Sequence, residues 1–573
     1  MLRRLPFYFI AGLLAGCSSP TATVYGPGGL HGGVLNLNET QVVRTLFPLA
    51  VTLVSEQHVA AQVYEGLVAF NPENLGVEAA LAESWELDTS RTVYTFKLRE
   101  GVRFHNDPAF PDGVGRELVA DDVVHCFTSI CEKGVGDAVF WLFQEKVKGA
   151  DEYYASGKAD GRVEGIEAVD DRTVRITLVR PVPSFLQSLA GAGCWIWPRE
   201  LPAKYGNQLF DHAIGTGPFR LKVARAGEAI VLERNPAYWG RDAQGGQLPY
   251  LDAVRITLVP DKEKEIEAFM NGHLSMVTEL SLESIGVLAD SLDPRTGMRR
   301  FRMSSTAALA IQFYGFNLSK PPFNDVRVRR AFALALDRQK LVQEALQGLA
   351  VTADRGIVPP GLAGYPYEVV SGNPYNPDSA RRLLDDAGYP GGKGFPRVQL
   401  QVSTHGFGYR NVASMAQEML GRELGVAIVV NTVHTKEYYD RIERGEALFW
   451  REGWVADLPD PENFLALLYG KNAEPDTSLP STLNTTRYAS PRFDSLFAAA
   501  NNAVLATDRM RNLALAEQVA MHDVPLIPLY HERYITLSSP TLQGLHSNAL
   551  EILDLRRVHF RPDAQHGRPA TTS

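Results

Sequence analysis

The distribution of apolar and polar positions divides the chain into short, well-bounded elements. Val93-Tyr94-Thr95-Phe96-Lys97-Leu98 alternates with period two, which predicts a strand over 92–98. Similar stretches predict strands over 32–37, 173–179, where Pro181 closes the run, and 255–259, where Pro260 does. Residues 119–130 read as a helix with Asp121 and Asp122 in its first turn, where negative charge favours the helix dipole. Residues 262–271 read as another, closed by Gly272. Val328, Phe332, Ala335, Leu336 and Val342 share one face of a helix expected over 326–347, capped by Asn324 or Asp325 and ended by Gly348. Helices follow over 378–387 and 412–424, the latter stopped by Gly425 before a strand over 426–430. Strands alternate with helices between about 310 and 530, the signature of an α/β lobe. The preceding part mixes them less regularly, as in an α+β unit set beside another α/β lobe.

Composition narrows the class. The chain has 573 residues, 45% apolar and 21% charged, which is globular and long enough for about three or four domain-sized units. Lys and Arg number 57 against 66 Asp and Glu, a net charge of −9. A nucleic-acid binder needs a basic surface to displace counterions, so no nucleic-acid partner is expected. Small molecules and peptides remain.

The first residues follow their own logic. Arg3 and Arg4 precede an apolar run over 5–14, shorter than the roughly 20 residues of a membrane-spanning helix. It ends in Leu14-Ala15-Gly16-Cys17, which resembles the lipobox of bacterial lipoproteins, with Cys17 as the lipidated residue. That resemblance implies a signal peptide over 1–16 and a lipidated tether over 17–33. The protein would then sit in the periplasm or cell envelope, anchored to a membrane by lipid rather than by a spanning helix. An ordinary signal peptide with an incidental Cys is the alternative. Cys126, Cys131 and Cys194 remain: an odd set, read as three buried thiols or as one disulfide and one thiol.

Chemical motifs for catalysis are missing. There is no Gly-x-Ser-x-Gly, no His-Glu-x-x-His and no phosphate loop, and the 13 His are scattered. His531-Glu532 lacks the second His of a zinc motif. No enzyme activity, cofactor or metal site is expected, and a peptide hydrolase is the enzymatic alternative.

An ordered set of motifs carries more. It begins with Val63-Tyr64-Glu65-Gly66-Leu67-Val68, Leu81-Ala82-Glu83-Ser84-Trp85-Glu86 and Gly101-Val102-Arg103-Phe104-His105. Gly215-Thr216-Gly217-Pro218-Phe219 and Arg234-Asn235-Pro236-Ala237-Tyr238-Trp239 follow. Then come Asn324-Asp325-Val326-Arg327 and Gly453-Trp454-Val455-Ala456-Asp457. Together they resemble the peptide and nickel type of bacterial extracellular solute-binding proteins, family 5, which includes the dipeptide- and oligopeptide-binding proteins of ABC importers.

The resemblance implies an α/β, two-lobed periplasmic-binding-protein fold (type II, cluster C) with an extra α+β domain and a two-strand hinge. Lobe I would take 34–70, 205–310 and 533–560, the extra domain 71–204, lobe II 311–532, and 561–573 a tail. The implied function is a substrate-binding lipoprotein, monomeric, that delivers short peptides to an ABC permease and its ATPase subunits. A nickel complex, sugar, opine, polyamine or haem is the alternative cargo.

Residues 450–461 concentrate the candidate chemistry. An ammonium group enclosed in a water-poor cleft needs a compensating anion. In peptide-binding members an Asp matching Asp457 supplies it, through a charge-assisted hydrogen bond. Trp454 would line a side-chain pocket, and the strand through Val455 would pair with peptide main chain. Arg451 would hold the ligand's C-terminal carboxylate, although Arg441 and Arg444 offer the same charge. Tyr314 is a further contact candidate. The bland readings are a turn or N-cap for Asp457, core packing for Trp454 and Tyr314, and a solvated surface charge for Arg451. Residues 405–410 form a Gly-rich loop that either approaches ligand or lies on the surface.

Overall fold

The computed structural model describes residues 31–561 except 160, 207, 279, 281–287, 289–290, 292–298, 404–407 and 477–478. Cys17, the expected signal peptide, most of the tether, residues 405–407 and the end of the tail lie outside the described residues.

Val34–Asn38 lies parallel to Ala253–Thr257, and Ala229–Arg234 and Phe219–Arg225 complete a four-stranded sheet. Its alternation puts Leu35 and Leu37 beside Val254 and Ile256 on one buried face. A second, antiparallel sheet runs in the order Ala82–Leu87, Val93–Leu98, Thr173–Thr177, Ile166–Asp170, with helix Ala120–Ile130 against it. The two sheets share one apolar core, in which Leu35 and Ile256 join Phe96, Phe127 and Val174. Cys126, Cys131 and Cys194 are buried free thiols in that core.

The other half is a six-stranded mixed sheet, ordered Val351–Thr352, Leu526–His531, Ala310–Phe316, Phe449–Val455, Val398–Ser403, Ile428–Val433. Helix Tyr409–Leu424 provides the crossover between the last two, which run parallel. Every residue of Ala310–Phe316 is buried, because helices cover both faces of the sheet. Strand periodicity divides its side chains between two cores: Ile311 and Phe313 enter one, Tyr314 and Phe316 the other.

Two adjacent strands join the halves. Arg302–Ala307 pairs antiparallel with Arg533–Ser538, and Met276–Val277 flanks the pair. The same two segments continue into Ala310–Phe316 and Leu526–His531 of the six-stranded sheet. The chain thus crosses between the halves twice, through neighbouring strands, where the resemblance places the hinge.

One expected element is broken. The helix expected over 326–347 is instead Val326–Leu334, Arg338–Lys340 and a π-turn over Leu341–Ala345. Asp325 caps the first and Asp337 the second. Between them Arg338 turns inward, and its buried guanidinium donates to the carbonyls of Pro528, at 2.5 Å, and Asn373, at 2.9 Å. A buried cation requires such partners, and they outweigh continuity of the apolar stripe.

Candidate functional site

Phe449–Val455 pairs along its whole length with Ala310–Phe316, but with Val398–Ser403 only at Phe449 and Trp450. Beyond Trp450 that second edge has no strand neighbour among the described residues. Exposure rises along the strand, from a fully buried Trp450 to Val455 at 51%. The chain then turns: the Ala456 amide donates to the Leu309 carbonyl at 2.9 Å, and the Asp460 amide to the Leu458 carbonyl at 2.8 Å.

Residues 455–458 form one wall of a cavity of about 470 Å³. Opposite lie parts of 51–70 and 550–556, and a third wall comes from 138–142 and 190–195. Cavities of about 300–1,000 Å³ suit small-molecule ligands. Another cavity, beside the hinge strands, holds only about 60 Å³, too small for such cargo. Leu458, on the cavity wall, is 8% exposed and, alone among the described residues of 311–532, belongs to the core of the first two sheets.

Asp457 lies on the wall of the cavity. Water reaches the residue through the opening, yet the surrounding protein crowds its carboxyl group. That partial desolvation raises its pKa above the usual carboxylate value, and a hydrogen bond with the Asn463 side chain only partly opposes the rise. Asn463 also accepts from the Trp454 indole N–H at 2.8 Å. Trp454 packs against the second lobe's core and stands behind Asp457 rather than on the cavity wall. Asp460, not Asp457, makes the loop's turn: its carboxylate accepts from the Glu462 amide at 2.8 Å.

The sequence of residues 76–476 matches the family of bacterial extracellular solute-binding proteins, family 5. The chain belongs to this family. Its relatives include heme-binding protein A of Haemophilus influenzae, 28% identical over 493 residues, with 84% of each chain covered. The dipeptide-binding protein of Escherichia coli is 27% identical over 479 residues, covering 82% of this chain and 83% of that one. Among solved structures, the periplasmic binding protein DppA of Helicobacter pylori, in complex with the peptide STSA, superposes with a TM-score of 0.71. It is 25% identical, over 93% of this chain and 99% of the other. The two-lobed architecture is that of periplasmic peptide-binding proteins.

In this solute-binding protein the five candidate contacts separate. Asp457 and Val455 line the cavity, and Trp454 supports the wall from behind. Arg451 and Tyr314 are not brought to the cavity. They face each other in register on neighbouring strands, inside the second lobe. Arg451 is only 7% exposed, donates to Gln312, and lies with its guanidinium carbon 3.1 Å from the centre of the Tyr409 ring. The expected capture of a ligand carboxylate by Arg451 therefore has no access from the cleft. Arg451 shares its strand face with Val455 but lies further inside the sheet, where the Tyr409 ring covers it.

The opposite wall carries groups whose roles single-residue reading did not reveal. Glu65 accepts from the Tyr238 hydroxyl at 2.7 Å, the Thr216 hydroxyl at 2.8 Å and the Trp239 indole at 3.0 Å. Burial raises its pKa and the three donors oppose the rise. Three distant sequence motifs thus meet on one carboxyl group. Glycine makes the approach possible, since a Cβ on Gly215 would stand 2.0 Å from the Val63 carbonyl oxygen. His58 contacts Glu39 at 2.9 Å and the Glu551 carbonyl at 3.0 Å. Burial works against its charge, but these two acceptors prevail and bring its pKa to about 9. Arg556 pairs with Asp554 at 2.7 Å.

Among the described residues no cluster of His, Cys, Asp and Glu could hold a metal ion. His531 is buried, lies 3.1 Å from the Ala310 carbonyl, and burial takes its pKa down to about 4, so it is neutral at pH 7. No described helix is long and apolar enough to cross a membrane.

Proposed function

We propose that this chain is the substrate-binding lipoprotein of an ABC importer for short peptides, tethered through lipid on Cys17. It performs no chemistry. It holds peptide between its lobes and passes it to a permease whose ATPase supplies the work. One observation carries the reading: a partly desolvated carboxylate, Asp457, on the wall of an interlobe cavity, beside a strand edge that has no strand neighbour among the described residues. A peptide's ammonium group satisfies the first, and its main chain pairs with the second without regard to side chains. Closure then follows from the ligand's greater affinity for the closed state.

Titration of purified protein with free and N-acetylated copies of one short peptide tests this. The free peptide is expected to bind more tightly by at least several-fold; equal affinities remove Asp457 from ammonium recognition. Mass spectrometry of molecules that co-purify addresses a second reading, a non-peptide cargo, which the heme-binding relative favours.

A further inference from the structure

The cavity is chemically lopsided. Lobe I and the segment after the hinge line it with His58, Glu65, Glu551, Asp554 and Arg556, and lobe II adds Asp457. Residues 71–204 contribute ten positions, and each is alanine, glycine, valine, leucine or tryptophan. Among them Trp141 is 43% exposed, although Val139, Phe140 and Leu142 around it are buried. An aromatic surface left open inside a cavity gains by being covered, since apolar area removed from water is stabilising.

Trp141 is also held in place. Phe140 stacks on Tyr154, with ring centres 4.0 Å apart. The Lys146 ammonium donates to the carbonyls of Trp141, at 2.8 Å, and Leu142, at 3.3 Å, and stands 5.5 Å from the centre of the Trp141 ring. Behind the loop, a Cβ on Gly193 would come within 2.8 Å of Leu142, so glycine lets the two segments pack closely. A platform ordered before binding costs little entropy when ligand arrives.

We propose that residues 71–204 form the apolar third wall of the ligand site. Trp141, with Leu142 and Trp195 also lining the cavity, selects cargo carrying a bulky apolar group in addition to the ammonium held by Asp457. The inference rests on the peptide reading and specifies it: the preferred ligand is a short peptide with a large hydrophobic side chain, not one of small or charged residues.

The test uses calorimetric titration of the full chain, wild type, Trp141→Ala and Trp141→Phe, with Ala-Ala, Ala-Phe and Phe-Ala. Wild type is expected to favour at least one Phe peptide over Ala-Ala by about tenfold, the ratio set by roughly 1.4 kcal/mol. Trp141→Ala should abolish most of that preference, bringing the Phe-to-Ala affinity ratio close to one. Trp141→Phe should restore it. A Phe-to-Ala ratio unchanged in Trp141→Ala overturns the proposal, as does a wild type that favours Ala-Ala. If wild type binds no peptide, the peptide reading fails separately. The third wall is then judged from the molecules that co-purify, which must shift from apolar to more polar in Trp141→Ala; an identical set overturns it.

Discussion

Asp457 and Asp460 sit three residues apart on one loop, yet they live in opposite circumstances. Asp460 is buried and receives a bidentate pair of hydrogen bonds from Arg509, at 2.7 and 2.8 Å, while Glu462 takes a further bond from the same guanidinium at 2.8 Å. Asp457 faces the cavity and shares a hydrogen bond with the Asn463 side chain. A buried charge must be matched within the fold, whereas a charge meant for a ligand must be left incompletely matched until the ligand arrives. Under the proposed function the loop does both: its inner acid locks the chain, and its outer acid stays available.

The strongest way to break this contrast is to remove the inner partner. Arg509→Ala should lower unfolding stability by about 3–5 kcal/mol, because the buried Asp460 carboxylate is stranded without its partner. Denaturant unfolding measures it, and a loss near zero would make the inner cluster no more than a solvated surface network.

Asp457→Asn should act on binding instead. A hydrogen bond to a charged group contributes about 1.5–3 kcal/mol, so affinity for free-amino peptides should fall roughly tenfold or more, with N-acetylated peptides little affected. Unfolding stability should not drop with it. The pH dependence sharpens the point. Crowding raises the folded-state pKa of Asp457 above its unfolded value, so the folded protein holds that proton more tightly. In ligand-free protein its contribution to stability therefore grows as pH falls through the raised pKa. Affinity runs the other way: it falls over the same window, at a higher pH than for an unperturbed carboxylate. Titrations across the acid range check the sign, and Asp457→Asn should flatten the affinity curve.

The smallest effect belongs to the residue between the two roles. Trp454→Phe keeps an aromatic ring but loses the indole bond that orients Asn463, worth about 1 kcal/mol. Affinity should weaken by no more than about fivefold. A loss as large as that of Asp457→Asn would mean that Trp454 touches the ligand itself.

Much of the frame was legible beforehand, because its causes are local. Alternation in 93–98, the Asp325 cap and the Gly425 stop depend on residues within one turn or one strand, and the structure places elements there. The family was legible for another reason: its motifs occur in order along nearly the whole chain. The break at Asp337 was hidden because Arg338 finds its partners at Pro528 and Asn373, far away in sequence. Arg451 misled for a similar reason. Its place near Asp457 in the chain says nothing about how far inside the sheet it lies, and Tyr409, forty-two residues earlier, covers it. Asn463 and Trp141 carried no signal in spacing; each matters through what stands next to it.

The amino-acid order alone thus determined the local elements, the acidic globular character and membership of the solute-binding family. Tertiary structure decided which of two nearby acids faces the cavity, how three separated motifs converge on Glu65, and which tryptophan is left uncovered. The reason is physical. Period and capping act over a few residues, but burial and the matching of charge depend on whatever distant segment packs alongside.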